Sequence, residues 1–352
     1  MVLVDRGALA GATTAVAAGM LAPVSEADPQ ESALAALGLE SARRWPAFAA
    51  ELADVSGIDV GYRSCGTLLV ARDADEAGWL QREVALRERL GLDATPLLPS
   101  QARALEPGLA PSLRAAADIP GDHAADPRLV GAALALAAER AGVTLRPQTE
   151  VAQVIVRDGR AAGVELTGGE VLDAEHVVVA AGPWSGALAG VPDDARVPVR
   201  PVKGQLLRLC DPGHDADAPL LGRVVRHETG YIVPRGDGRY IVGATVEERG
   251  FDTSVTALAL HELLRDASEL VPGLLELEVE ELLAGLRPGT PDNAPVLGSS
   301  AAVPGLHWAT GHHRNGILLA PVTGDLLAAV LTGEDAGPAA AFSPGRFTEV
   351  AA

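Results

Sequence analysis

A chain of 352 residues with 48% hydrophobic side chains can fill the cores of two domains. Its formal charge of −19, from 28 basic and 47 acidic residues with no Lys/Arg cluster, argues against a phosphate-backbone partner. Two cysteines, Cys65 and Cys210, stand far apart in no C-x-x-C arrangement, so neither a disulfide framework nor a zinc site is indicated, and no apolar run of about 18 residues has the bulk of a membrane span.

In chain order, Val2-Leu3-Val4 reads as a buried parallel strand whose end carries an acid, Asp5. Ala8 to Pro23, alanine-rich and preceded by Arg6, could pass for a secretory signal, but Asp5 and the interspersed Gly and Thr count against it. Glu31 to Val55 reads as helical, with Pro46 expected to end or kink one helix and start another. A short strand falls within Arg63 to Ala71, a polar-faced helix over Asp73 to Leu90 closed by Gly91, and a turn-rich stretch over Pro96 to Pro111. Asp126-Pro127 starts a helix with an N-cap acid and a first-turn proline, running to Ala141 and stopping at Gly142.

Short apolar runs at 143–145, 151–156, 161–166 and 177–180, separated by turns such as Asp158-Gly159 and Gly168-Gly169, read as strands and hairpins. A second strand group covers 204–209, 231–234 and 239–245, a helix 258–270, a strand 306–310, and a last helix about 318–331 ending at Gly333.

The segment from Ala284 to Gly316 carries the most chemistry. Arg287 lies in a Leu-Arg-Pro turn, and the 306–310 strand opens through Gly311-His312-His313-Arg314-Asn315-Gly316 into another apolar run. A strand that opens through glycines into a helix offers backbone N–H groups and a positive dipole end, suited to an electron-rich ring or phosphate. Two arginines beside it suggest a carboxylate held near a cofactor. His312 and His313 invite a metal reading, but no nearby acid or cysteine completes a ligand set, so no metal is expected. No G-x-S-x-G elbow, P-loop or H-E-x-x-H occurs.

That segment, together with Leu3-Val4-Asp5, the run Thr13 to Leu21, Val177 to Ser185, Pro201 to Gly204, Gly230 to Arg235 and Gly243 to Thr245, resembles in order the signature of the flavin-dependent amino acid oxidases. Within that family the glycine oxidases of thiamine biosynthesis are most alike. The resemblance implies an α/β fold with α+β elements: a Rossmann-like FAD-binding domain and an inserted substrate domain with a mainly antiparallel sheet. The FAD domain is expected at 1–60, 120–185 and 285–340, the substrate domain at 61–119 and 186–284, and a tail at 341–352. The chain starts at what would be the second Rossmann strand, lacking the first strand, the G-x-G-x-x-G turn and its helix, so the polypeptide is expected to start about thirty residues earlier. As written it should leave a neighbouring strand edge open and bind flavin poorly; a degenerate homologue is the alternative.

For the site, the resemblance implies that Asp5, with Arg6, meets the adenosine ribose, although Asp5 read alone is an ordinary strand-ending acid. It puts Thr13, Thr14, Ala18, Gly19 and Met20 beneath the flavin, Met20 also facing substrate or simply filling an apolar gap. It sets Val151 at the adenine, Gly182 and Trp184 near the cofactor, and the backbone of His312, His313, Arg314, Asn315, Gly316, Ile317 and Leu318 at the ring. Arg287 is the implied carboxylate anchor, Tyr231 a second donor to that carboxylate, and Arg314 a residue close to substrate and flavin.

The implied reaction is hydride transfer from the α-carbon of glycine or another small amino acid to flavin N5, giving an imine or glyoxylate and, with oxygen, hydrogen peroxide, with no side-chain acid or base. Sarcosine or D-amino acid oxidases, dehydrogenases using another acceptor, and a flavin-free remnant are the alternatives. The thiazole-synthesis machinery, a cytoplasmic location, a homotetramer, and no nucleic acid or stable membrane association complete the expectation.

Overall fold

A computed structural model describes residues 1–335 and 337–347. Its largest element is an eight-stranded sheet, in the order Glu278–Gly289, Arg200–Cys210, Arg239–Gly243, Tyr231–Pro234, Val224–Arg226, Thr67–Ala71, Ala115–Ile119, Thr95–Leu97. All neighbours are antiparallel except Val224–Arg226 beside Thr67–Ala71. The mainly antiparallel sheet is therefore as expected. Side chains alternate across it, so successive residues enter different cores. Leu207, Leu209, Ile232, Tyr240 and Val242 pack with Ala267 and Leu270 of helix Ala257–Leu270. Leu206, Val233 and Ile241 face the other way, onto Ala18 and Ala124. Each such buried aliphatic side chain contributes about 1.5–3 kcal/mol.

On that second side, strand Val177–Val179 runs parallel to Leu306–Thr310, which pairs antiparallel with Val296–Ser299. Strand Val2–Val4 pairs in parallel with Thr144–Arg146 in a separate two-stranded sheet. Its expected burial is not found: Val2 is 49% and Leu3 40% exposed, as is Val178 at 38%. Among the described residues Val2–Val4 has one strand partner.

Helix Ser32–Ser56 joins these layers. Trp45, Ala49 and Leu52 pack against Val130 and Ala133 of helix Pro127–Arg140, and Leu34 and Leu37 against Val322 and Leu326 of helix Ala320–Thr332. Pro46 neither ends this helix nor splits it, because it lies on the exposed face, where the Ala42 carbonyl that loses its partner can turn to water. The turn-rich expectation for 96–111 also missed helix Pro99–Leu105, whose start carries a proline and the Gln101 side chain accepting from Leu98 N–H at 2.7 Å. The 341–352 tail begins in order: Phe342 is buried against Leu297 and Leu319, while 348–352 lie outside the described residues. Among the described residues no helix is long and apolar enough to cross a membrane.

Candidate active site

A cavity of about 1000 Å³ opens where the eight-stranded sheet meets the smaller layers. Its walls come from residues 13–20, from 226–231, from the ends of strands Arg200–Cys210 and Glu278–Gly289, and from the turn 312–317. Hydrogen bonds fix the first wall. Thr13 Oγ1 donates to the Leu286 carbonyl (2.8 Å), Arg128 Nε to Ala15 O (2.9 Å), and Arg235 to the Ala18 and Ala125 carbonyls (2.7 and 2.8 Å). Residues 13–16 form one helical turn.

Arg287 is in the long strand Glu278–Gly289, opposite Val202, and not in a turn. The sequence masked this strand because Arg287-Pro288-Gly289 reads as a chain reversal, whereas pairing with Arg200–Cys210 keeps it extended. The guanidinium lies flat across the neighbouring strand: a Cβ on Gly204 would fall 2.5 Å from both of its terminal nitrogens. It donates to two backbone carbonyls, Lys203 O (3.4 Å) and Thr245 O (3.2 Å), and meets the Tyr231 hydroxyl, leaving donors for a ligand. The Tyr231 ring crosses Gly243 in the same manner, its hydroxyl 2.7 Å from where a Cβ would stand. Burial raises the Tyr231 pKa, with Arg287 and Arg314 opposing, so the phenol keeps its proton and can donate.

The turn after Leu306–Thr310 is tied to the same strand, since His313 N–H donates to Pro288 O (3.0 Å) with His313 in the left-handed region at φ +45°. Asn315 N–H closes the turn on His312 O (2.8 Å). His312 Nε2 lies 3.0 Å from Thr323 Oγ1, and burial lowers its pKa to about 4. His313 is likewise pushed down to about 4 by burial and then by Arg287 and Arg314. Both imidazoles are therefore neutral at pH 7.

The structure thus brings Thr13, Thr14, Ala18, Gly19, Met20, Gly182, Tyr231, Arg287 and residues 312–317 around one cavity. Leu318 is buried behind it, its carbonyl accepting from Ser41 Oγ (2.6 Å) and Trp45 Nε1 (2.8 Å). Asp5, Arg6, Val151 and Trp184 lie outside the cavity lining. Asp5 O accepts from Thr149 N–H (2.8 Å), which sets Asp5 beside the start of strand Val151–Arg157, and Arg6 stacks on Trp184 at 3.9 Å. Missed by the sequence reading were Glu26, Arg226, His227, Gln205 and Thr245. Thr245 ends the Gly243–Thr245 run that carries the resemblance; no local spacing marks the other four, because the fold alone collects them.

Glu26 bonds to Arg314 and lies 3.7 Å from Arg226. Burial works to raise its pKa, but Arg314 and Arg226 outweigh that and hold it below the usual carboxylate value. The cavity suits a planar flavin ring: its size lies in the range of cofactor pockets, and one wall is built from Ala17, Ala18, Gly19, Ala180, Gly182 and Ala309, which let a flat ring approach the backbone.

A family model described as "DAO: FAD dependent oxidoreductase" matches residues 1–330. The chain is 37% identical over 326 residues to a glycine oxidase of Geobacillus kaustophilus (strain HTA426), covering 92% of this chain and 84% of that one. It is 35% identical over 323 residues to a protein named Bifunctional protein ThiO/ThiG of Trichormus variabilis, covering 92% of this chain. It spans about half the length of that relative, 47%. The crystal structure of glycine oxidase from Geobacillus kaustophilus superposes with a TM-score of 0.86 at 35% identity, covering 94% of this chain and 88% of that one.

Proposed function

Because the chain belongs to the DAO family of FAD-dependent oxidoreductases, we propose that it oxidises glycine or another small amino acid to the imine, which water hydrolyses to glyoxylate and ammonia. When bound, FAD supplies the two-electron acceptor, with oxygen as the co-substrate that becomes hydrogen peroxide. Residues 13–20, Gly182 and the 312–317 backbone are the parts of this chain we assign to the ring, and Asp5, Arg6 and Val151 to the adenosine end.

The observation that carries this function is the state of Arg287: a guanidinium in the cavity, hydrogen-bonded to two carbonyls and, among the described residues, in no salt bridge with a carboxylate. It can take a substrate carboxylate in two parallel charge-assisted bonds. Tyr231 adds a hydroxyl donor from strand Tyr231–Pro234 of the same sheet. Together they fix the α-carbon, and the neutral amine leaves as part of the imine without needing a side-chain base. Product use in the thiazole branch of thiamine biosynthesis belongs to the same proposal, supported by relatives that carry ThiO and ThiG in one chain.

The test is oxygen uptake and peroxide release by the FAD-loaded protein with glycine, sarcosine and D-alanine. Arg287→Met is expected to lower kcat/KM by about 100-fold, the loss of a bidentate charged contact. A flavin-loaded protein that releases no peroxide with any small amino acid sinks the proposal.

A further inference from the structure

Four arginines line the cavity; Arg249 is largely exposed and stands 4.0 Å from Glu247, which leaves the guanidiniums of Arg226, Arg287 and Arg314. A substrate with one carboxylate can neutralise one of them. Glu26 accounts for the other two, accepting from Arg314 and standing 3.7 Å from Arg226.

Its placement is enforced by the fold. The turn 22–27 that carries it is gripped from three sides. Asp122, fully buried, accepts from the N–H groups of Val24 and Ser25 at 3.1 and 3.2 Å. Arg87, 2% exposed, donates to the carbonyls of Val24 and Ser25 at 3.2 and 2.6 Å, and Arg226 also donates to Ser25 O. A side chain on so fixed a turn keeps its position without reorganising, as a preorganised ligand group should.

We propose that Glu26 is the specificity-determining residue of the cavity: its carboxylate fills the place that a second substrate carboxylate would take between Arg314 and Arg226, and so limits the site to monocarboxylic amino acids. This rests on Arg287 as the carboxylate anchor. A dicarboxylate entering beside Arg287 meets the Glu26 charge instead of a free guanidinium, and like charges in a partly buried site repel strongly. Arg314 accordingly acts through Glu26 and does not itself hold the substrate.

Glycolate and tartronate differ by one carboxylate, and calorimetric binding of each to the FAD-loaded protein tests the idea. Wild type should bind glycolate in preference to tartronate, and Arg287→Met should weaken glycolate; failure of that dependence on Arg287 overturns the anchor itself, whatever Glu26 does. Glu26→Gln is expected to shift the glycolate-to-tartronate affinity ratio about tenfold toward tartronate, one charge-assisted bond's worth. An unchanged ratio overturns the inference.

Since Glu26→Gln strands two guanidiniums and could unfold the chain, a charge-balanced pair provides a second route. Arg314→Met alone should weaken glycolate, because Arg226 then only offsets Glu26 and the group loses its net positive charge; adding Glu26→Gln returns that charge and should restore most of the affinity. If the double variant stays as weak as the single, Arg314 holds the ligand directly and the inference falls.

Discussion

Gly204 is the residue on which the site's geometry turns. Its missing side chain lets the Arg287 guanidinium lie across strand Arg200–Cys210, and a methyl there would overlap its terminal atoms. Those atoms are the far end of a flexible chain, so Gly204→Ala should move the guanidinium and leave the strand intact. Binding of a carboxylate ligand is expected to weaken by about tenfold or more, the value of a charged hydrogen bond, while the melting temperature changes little. Calorimetry and a thermal melt on the same sample check both halves. The buried imidazoles make a second prediction at this scale. His227, His312 and His313 are each held near pKa 4, below the 6.5 of an unfolded histidine, all three chiefly by burial. Between those values the unfolded chain takes up protons that the native chain refuses, so stability falls as pH drops from about 6.5 to about 4 and rises again as pH increases. Urea unfolding at pH 7 and pH 5 should show the difference, and His312→Asn should reduce it.

Among elements, helix Ser32–Ser56 carries the sharpest prediction. Pro46 is exposed within it, and the backbone bond it deletes is regained on substitution. Pro46→Ala should stabilise the protein by about 1–3 kcal/mol, less whatever freedom alanine returns to the unfolded chain, and an unchanged denaturation midpoint would contradict this. This helix also marks where a sequence stops being readable. The N-cap Asp126 and Pro127, the Gly91 stop and the alternating strands at 231–243 are local signals, and each element forms where they point. The proline signal is local too, but tertiary packing of Trp45 and Leu52 overrides it. Strand Glu278–Gly289 escaped notice for the opposite reason: its Arg-Pro-Gly end looks like a turn until eleven residues of Arg200–Cys210 pair with it. Arg287, Tyr231 and Met20 were reached through family resemblance, whereas Glu26 and Arg226, 200 positions apart in number, have no pattern that joins them before folding.

At the scale of the molecule, strands Val2–Val4 and Val177–Val179 are edge strands, each with one strand partner among the described residues. Val2, Leu3 and Val178 expose apolar side chains at these edges, and open edges template pairing between chains. Self-association of the 352-residue chain should therefore rise with concentration and fall when Val178→Lys is introduced, as sedimentation velocity would reveal; indifference to that lysine would mean the edge takes no part. The Leu318 carbonyl, which receives hydrogen bonds from Ser41 and Trp45, and the Leu286 carbonyl, which receives one from Thr13, join positions more than 270 apart in sequence. A cavity closed by such long-range clasps comes into being late, once distant parts of the chain have met, and it vanishes as soon as they separate. Its occupancy is therefore thermodynamically linked to the folded state as a whole: a ligand at a hundred times its dissociation constant should raise the unfolding free energy by about 2.7 kcal/mol, delaying the melting of helices that never touch it.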